Sequence, residues 1–208
     1  AGVELRMLAH YLARWDGGRY AKVLLHGDIH QENADKIGVS RKLVKTISYA
    51  FLYGAGDQKL GLSYDKQLSP DKAKKKGKEI RKAYIDAIPG LEKLLEGVHK
   101  ASEKGFVRGI DKRKILVDSK HKSLNYLIQG SSAVLAKKWM LLTHENLPPT
   151  AKQLAFVHDE LQFECKEEDV EDLKFLLELS ATQAGEYYNL RCPIAAESKS
   201  GSTWADVH

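Results

Sequence analysis

Apolar residues recur at the spacing of an α-helix through most of the chain and alternate at the spacing of a β-strand in two short stretches. The first helical stretch, residues 3–15, puts Leu5, Leu8 and Leu12 on one face and ends at the sequence DGG. Further helices are predicted over residues 29–37, 41–53, 70–87, 91–105, 121–146 and 167–189. Hairpins are predicted over residues 106–117 and 153–165, and a short strand over residues 193–197. This pattern indicates an α+β chain that is mostly helical.

The helix predicted over residues 41–53 carries two kinds of side chain on two faces. At about 100° per residue, one arc of ~120° holds the side chains that recur every four residues, which are Arg41, Lys45, Tyr49 and Tyr53. The far side holds an apolar stripe made of Leu43, Val44, Ile47 and Phe51. Ser40 suits the N-cap and Gly54 the position past the last turn. From this segment alone, the polar face is either a solvated surface or a binding face for an anion.

The overall charge permits a polyanionic partner. The 208 residues carry a formal net charge of +5 with a pI near 9.0, and 43% of them are hydrophobic. The segment 65–82 holds eight basic and three acidic residues, which fits either a solvated helix face or a phosphate contact. Two cysteines exclude a disulfide framework. No signal peptide or apolar run of membrane length is visible, so we expect an intracellular, cytoplasmic protein without a membrane partner.

A polar triplet, His158, Asp159 and Glu160, separates the two apolar halves of the second hairpin. Adjacent carboxylates near a core are costly unless a positive charge lies beside them. Mg²⁺ is usually bound by one or two carboxylates together with phosphates and water. Taken alone, the triplet is more typical of a solvated hairpin tip than of a metal site.

Taken together, several stretches of the chain resemble the family A DNA polymerases, especially the phage replicative branch. The arrangement Arg41-x3-Lys45-x7-Tyr53-Gly54 is similar to the nucleotide-binding helix of that family, and Val157 to Glu160 to its second catalytic-carboxylate motif. Other similar stretches, in the family's order, are GVELR at 2–6, HGDIH at 26–30, HKSLNYLIQGSSA at 121–133 and KSGSTW at 199–204. The resemblance implies part of a right-hand polymerase fold, with helical fingers (13–125) inserted in an antiparallel-sheet palm (1–12 and 126–208).

The same resemblance implies that the chain takes part in template-directed DNA synthesis. A deoxynucleotidyl group would pass from a deoxynucleoside triphosphate (dNTP) to a primer 3′-hydroxyl, with two Mg²⁺ ions in the complete enzyme. The implied dNTP-binding residues are Glu4, His30, Arg41, Lys45, Tyr49 and Tyr53. The implied catalytic residues are Lys45, His158, Asp159 and Glu160, with Asp159 as the metal ligand. Glu4 would lie under the sugar and exclude a 2′-hydroxyl.

The partner implied for the rest of the site is primer-template DNA. His121, Asn125 and Gln129 follow one another at one-turn spacing, so these side chains can face one groove. The resemblance implies that they read the minor groove, where amide donors meet acceptors of base pairs in either orientation. His158 is implied as a further DNA contact. Taken alone, Asn125 and Gln129 are more typical of an exposed helix surface.

The resemblance also places the family's first catalytic aspartate two residues upstream of Ala1 and a thumb further upstream. We therefore expect this chain alone to be inactive. It would act either as a segment of a longer polymerase or as the C-terminal subunit of a split one, whose partner polypeptide supplies the thumb and the first palm motif. The alternative is a non-catalytic basic module that binds nucleic acid.

Overall fold

A computed structural model describes residues 2–207 of the chain and divides the chain into two compact units, residues 1–130 and 131–208. The first unit is mostly helical, the second combines helices with a hairpin and irregular segments, and the only strands in the described part form two separate antiparallel pairs. The predicted α+β class is therefore confirmed. Within residues 2–207, no helix is long and apolar enough to cross a membrane.

The first unit contains seven helices, one hairpin and the beginning of an eighth helix. The helices are α1 (Val3–Asp16), α2 (Arg19–His26), α3 (Ile29–Ile37), α4 (Arg41–Leu52), α5 (Asp57–Tyr64), α6 (Pro70–Ala87), α7 (Leu91–Ser102) and α8 (Ser123–Glu145). The strands are β1 (Phe106–Arg108) and β2 (Lys114–Leu116), with Val107 opposite Ile115. A 3-10 turn, Lys120–Lys122, leads into α8.

Helix α4 has the two faces that its sequence predicts. Val44, Ile47 and Phe51 are buried, as is the apolar stripe of α1 at Leu5, Leu8 and Leu12. The Ser40 hydroxyl accepts a hydrogen bond from the Leu43 amide at 3.3 Å and so caps the first turn. Gly54 ends the segment with a φ of 73°, a left-handed conformation that glycine adopts without steric cost.

Helices α5 and α6 cross closely at two glycines. A Cβ atom at Gly61 would lie 1.9 Å from the Ala73 carbonyl oxygen, and one at Gly77 would lie 1.7 Å from the Asp57 carbonyl oxygen. No other residue type fits either position without moving a backbone. The Arg81 side chain of α6 stabilises the contact between the two helices, since it donates hydrogen bonds to the Asp57 carboxylate and to the Ala55 carbonyl, both at 2.6 Å.

Two helices of the first unit, α2 and α5, are absent from the elements that the sequence predicts. Each has eight residues, and glycines lie at the ends of α2 and inside α5. Isolated helices of this length are marginal in water. Packing against neighbouring helices therefore stabilises them. The spacing of apolar residues along the sequence carries no sign of that packing.

The second unit contains the rest of α8, a hairpin and two further helices. The hairpin pairs β3 (Lys152–Val157) with β4 (Glu160–Glu164), and the helices are α9 (Val170–Tyr187) and α10 (Trp204–Val207). The indole nitrogen of Trp139, on α8, donates to the Leu177 carbonyl at 2.9 Å and joins α8 to α9.

The strand predicted over residues 193–197 is wrong. No strand forms there within the described part of the chain. The segment packs on α9 instead: the Thr182 hydroxyl donates to the Ile194 carbonyl at 3.2 Å, and the Ile194 side chain lies against Gly185. These contacts bury Ile194 of residues 193–197 without a β-sheet.

Substituting Gly77 by alanine should destabilise the protein, although alanine favours a helix by up to about 1 kcal/mol. The added methyl group overlaps the Asp57 carbonyl, and overpacking of this kind costs about 1–3 kcal/mol. Gly97→Ala, in α7, is the matched control because its methyl group would come no closer than 3.9 Å to Trp15. Urea denaturation should give a lower midpoint for Gly77→Ala and an unchanged or higher one for Gly97→Ala. Equal midpoints would show that the crossing relaxes at no cost.

Candidate nucleotide-binding site

The polar face of α4 is exposed as its sequence predicts. Arg41 and Lys45 lie on the solvent side, Tyr49 is half-buried, and Tyr53 caps the C-terminus with half of its surface exposed. Lys45 makes no ion pair with any residue in the described range 2–207. One cation of the pair is thus available to an anion, whereas Arg41 is already engaged.

The partner of Arg41 is Asp28, at the N-cap of α3. Its Oδ2 atom accepts a hydrogen bond from Arg41 Nε at 2.6 Å. Its Oδ1 atom accepts from the backbone amides of His30 and Gln31 at 3.1 and 3.0 Å. The Arg41 guanidinium, followed by the Gln31 amide, lowers the pKa of the Asp28 carboxyl below its ordinary value. Sequence reasoning assigned no role to Asp28, although the Asp before a predicted helix is a capping signal.

His30 is buried at the base of the same face. Its Nδ1 atom is buried without a hydrogen-bond partner among residues 2–207, and its ring lies 6.4 Å from that of Tyr49. Burial lowers the pKa of His30 below its ordinary value; the Asp28 charge opposes this effect, and the charges of Arg41 and Lys45 add to it. A neutral imidazole with an unsatisfied ring nitrogen is thus placed beside two cations.

Tyr49 of α4 and Tyr53 at the C-cap of that helix stack on each other, close to the beginning of α1. Their ring centroids are 6.4 Å apart and their planes differ by 23°. The Tyr53 hydroxyl donates to the Glu4 carboxylate at 3.0 Å. Burial, followed by the charge of Glu4, raises the pKa of Tyr53 above its ordinary value. A methyl group at Gly2 would lie 3.4 Å from the Tyr49 hydroxyl and 3.2 Å from the Glu4 carboxylate, so Glu4 and both tyrosines meet in one place.

The first turns of α8 adjoin the end of α4. A Cβ atom at Gly54 would lie 3.8 Å from the Cβ of Asn125, and the Gln129 amide lies beside the Tyr53 hydroxyl. Asn125 Oδ1 and Gln129 Nε2 are buried and lack hydrogen-bond partners. Buried amides in this state are costly, so the two side chains differ from ordinary exposed helix residues.

His121 lies one turn earlier, in the 3-10 turn, and its Nδ1 atom is 2.7 Å from the Ser119 hydroxyl. It borders a cavity of about 330 Å³ together with Asn125 and Phe51. The same cavity is lined by three further polar residues that the sequence did not single out, Asp57, Arg81 and His99.

The polar triplet of His158, Asp159 and Glu160 lies in the second unit, at the tip of the β3–β4 hairpin. Val157 pairs with Glu160, so His158 and Asp159 alone form the turn. His158 has a φ of 56°, and both turn residues are exposed. Glu160 begins β4 and accepts a hydrogen bond from the Gln162 amide. The predicted turn of three residues is therefore a turn of two, His158 and Asp159, and Glu160 belongs to the strand.

No group of three or more His, Cys, Asp or Glu side chains that could hold a metal ion occurs among residues 2–207. Asp159 therefore offers carboxylate oxygens of the kind that Mg²⁺ prefers, without a closed set of protein ligands around them.

A family model for DNA polymerase family A matches residues 1–206. The DNA-directed DNA polymerases of Enterobacteria phage T3 and Escherichia phage T7 are each 32% identical to this chain over its whole length. The DNA polymerase I of Bacillus caldotenax is 30% identical over 99% of the chain. The chain spans 32% of the two phage proteins and 25% of the Bacillus protein.

The solved structure of the POL domain of Pol1 from M. smegmatis, in complex with DNA primer-template and dNTP, has a similar fold. The TM-score is 0.79 at 24% identity, covering 100% of this chain and 39% of that one. The predicted fold, part of a family A polymerase domain, is thereby confirmed.

The titration of His30 tests the electrostatics of the site. We expect its pKa to lie below 6.5, and Lys45→Gln to raise it because a neighbouring positive charge is removed. A folded-state pKa below the unfolded one also means that stability falls as the pH drops below about 6.5. NMR titration of the imidazole signals measures the shift, with Lys93→Gln in α7 as the control for charge removal elsewhere. A His30 pKa equal in wild type and Lys45→Gln would show that the Lys45 charge does not contribute to it.

Proposed function

Because the chain belongs to the family A DNA polymerases, we propose that it forms the fingers and part of the palm of an enzyme for template-directed DNA synthesis. The palm would comprise residues 1–12 and 126–208, and the fingers residues 13–125. The observation that carries the proposal is the meeting of His30, Arg41, Lys45, Tyr49, Tyr53 and Glu4 around the polar face of α4. That face combines cations with aromatic rings and a carboxylate, the groups needed for phosphates, a base and a sugar.

Arg41, Lys45 and His30 would bind the triphosphate. Phosphoryl transfer is catalysed mainly by positioning the substrate and stabilising its charge, and the two cations lie one turn apart on an exposed face. The unsatisfied Nδ1 of His30 supports a ligand contact at this point. Lys45 makes no ion pair within residues 2–207. It is therefore the cation best placed to stabilise the negative charge of the phosphates in the transition state.

Glu4, Tyr49 and Tyr53 would bind the sugar and the base. The hydrogen bond from Tyr53 holds the Glu4 carboxylate at the edge of the stacked rings. A carboxylate fixed in that position leaves no room for a 2′-hydroxyl, which would restrict the site to deoxynucleotides. Tyr53, exposed over half of its surface, would stack near the templating base.

Asn125, Gln129 and His121 would contact the minor groove of the primer-template duplex, with His158 as a further contact. The unsatisfied Nε2 donor of Gln129 supports this role. Donors aimed at minor-groove acceptors recognise base pairs of either orientation, so these contacts would test the shape of the duplex without selecting a sequence.

Asp159 would hold Mg²⁺, with Glu160 and His158 beside it. The exposed carboxylate of Asp159 fits that ion as one ligand of a site completed by phosphates, water and a second carboxylate. When bound, Mg²⁺ would activate the primer 3′-hydroxyl and stabilise the leaving pyrophosphate. The second carboxylate and the thumb would come from an upstream segment or a partner polypeptide, since the chain spans only 32% of the two phage polymerases named above.

Substituting Asp159 by alanine tests the catalytic assignment in the polymerase assembled from this chain with its thumb and first palm motif. Primer extension with Mg²⁺ should fall roughly a thousandfold, the scale of several kcal/mol of lost charge stabilisation. Binding of primer-template DNA should change little, because Asp159 carries no positive charge. Asp172→Ala, an exposed carboxylate on α9, should leave both activities intact. A parallel loss of DNA affinity in Asp159→Ala would indicate a structural role, and unchanged extension would refute the catalytic role.

Replacing Glu4 by alanine tests the sugar assignment. Removing the carboxylate should raise the affinity for ATP relative to dATP, because the obstacle to a 2′-hydroxyl is lost. Titration calorimetry of this chain with each nucleotide in Mg²⁺ measures the ratio, and Glu92→Ala, an exposed carboxylate on α7, is the control. The same dATP-to-ATP ratio in wild type and Glu4→Ala would remove Glu4 from the sugar pocket.

A further inference from the structure

Asp28 occupies two positions that a bound anion would use. One oxygen accepts from the first free amides of α3, at His30 and Gln31, and the other from Arg41 Nε at 2.6 Å. A helix N-terminus and a guanidinium are each common contacts for phosphate oxygens. In this protein an internal carboxylate engages both.

We propose that Asp28 is a specificity-determining residue that competes with the phosphates of the nucleotide for Arg41, and that a triphosphate has to displace it. The inference rests on the proposed function of Arg41 as a triphosphate ligand. It adds that the cation is held by a competing anion when the site is empty, so that ligands unable to displace Asp28 are selected against.

The exposure of the pair makes such an exchange feasible. The side chains of Arg41 and Asp28 are 50% and 43% exposed, and ion pairs in that setting contribute little to stability. The pair uses Nε, one of the five N–H donors of the guanidinium. A phosphate that approaches through Nε and the adjacent terminal nitrogen in the bidentate manner meets Asp28 first.

The charge balance gives the exchange its selectivity. The Arg41 charge is matched by the Asp28 carboxylate in a direct ion pair, and His30 has a lowered pKa that favours its neutral form. An anion that contacts only one of the two cations therefore gains little from the empty site. A magnesium-bound triphosphate gains more, because it contacts both cations at once and separates Arg41 from Asp28.

Asp28→Asn isolates this effect, because asparagine retains a good N-cap for α3 while losing the charge that holds Arg41. Titration calorimetry of the full chain at low salt should give a dissociation constant for dATP with Mg²⁺ that is about two- to fivefold lower, the range for an exposed ion pair. Pyrophosphate should gain at least as much. Asp35→Asn, also on α3 and hydrogen-bonded to Gln31, is the matched control for removing a carboxylate and should change neither.

The same substitution in an Arg41→Ala background separates competition from general repulsion. There Asp28→Asn should have no more effect than Asp35→Asn, because no guanidinium remains to be released. An equal gain in both backgrounds, or no gain in the wild-type background, overturns the inference about Asp28. If Arg41→Ala alone leaves dATP binding unchanged, the assigned role of Arg41 fails instead, so the two failures are distinguishable.

Discussion

The burial of one face of α4 is the constraint on which the candidate site depends. Val44, Ile47 and Phe51 are almost completely buried, and any rotation of the helix about its axis would expose them at about 25 cal/mol for each Å² of apolar surface. The orientation of the opposite face is fixed by the same contacts. Arg41, Lys45 and Tyr49 therefore take their direction from the core, and Gly54 ends the segment where Tyr53 can reach Glu4.

The candidate site gathers polar groups that the fold leaves unsatisfied. His30 Nδ1, Asn125 Oδ1 and Gln129 Nε2 are all buried without partners, and each such atom costs on the order of 1–3 kcal/mol. All three lie near the ends of α4, and buried atoms elsewhere in the described residues, such as Tyr84 Oη and Ser132 Oγ, share this state. Asp28 shows the other arrangement, in which an acidic side chain provides locally the negative charge that the cations attract.

Much of this fold follows from local signals. The limits of α1, α3, α4 and α6 are set by capping residues, by Pro70 and by glycines, and the sequence predicts them within one or two residues. Helices α2 and α5 and the segment at Ile194 depend on contacts between distant residues, such as that of Gly77 with Asp57. Such contacts have no periodicity along the chain. The spacing of residues on α4 likewise predicts the shared face of Arg41 and Lys45. The pairing of Arg41 with Asp28, thirteen residues away, depends on how α3 and α4 pack, and no pattern along the sequence predicts it.

The two-residue turn of the β3–β4 hairpin limits how this part of the chain can vary in length. Val157 and Glu160 are paired directly across it, and His158 is already in the left-handed region. An inserted or deleted residue within β4 would shift the pairing by one, and since side chains alternate between the faces of a strand, Leu161 and Phe163 would exchange faces with their polar neighbours. Length variation should therefore be tolerated in the loops on either side of the hairpin and excluded from the eight positions of regular pairing, Ala155 to Gln162.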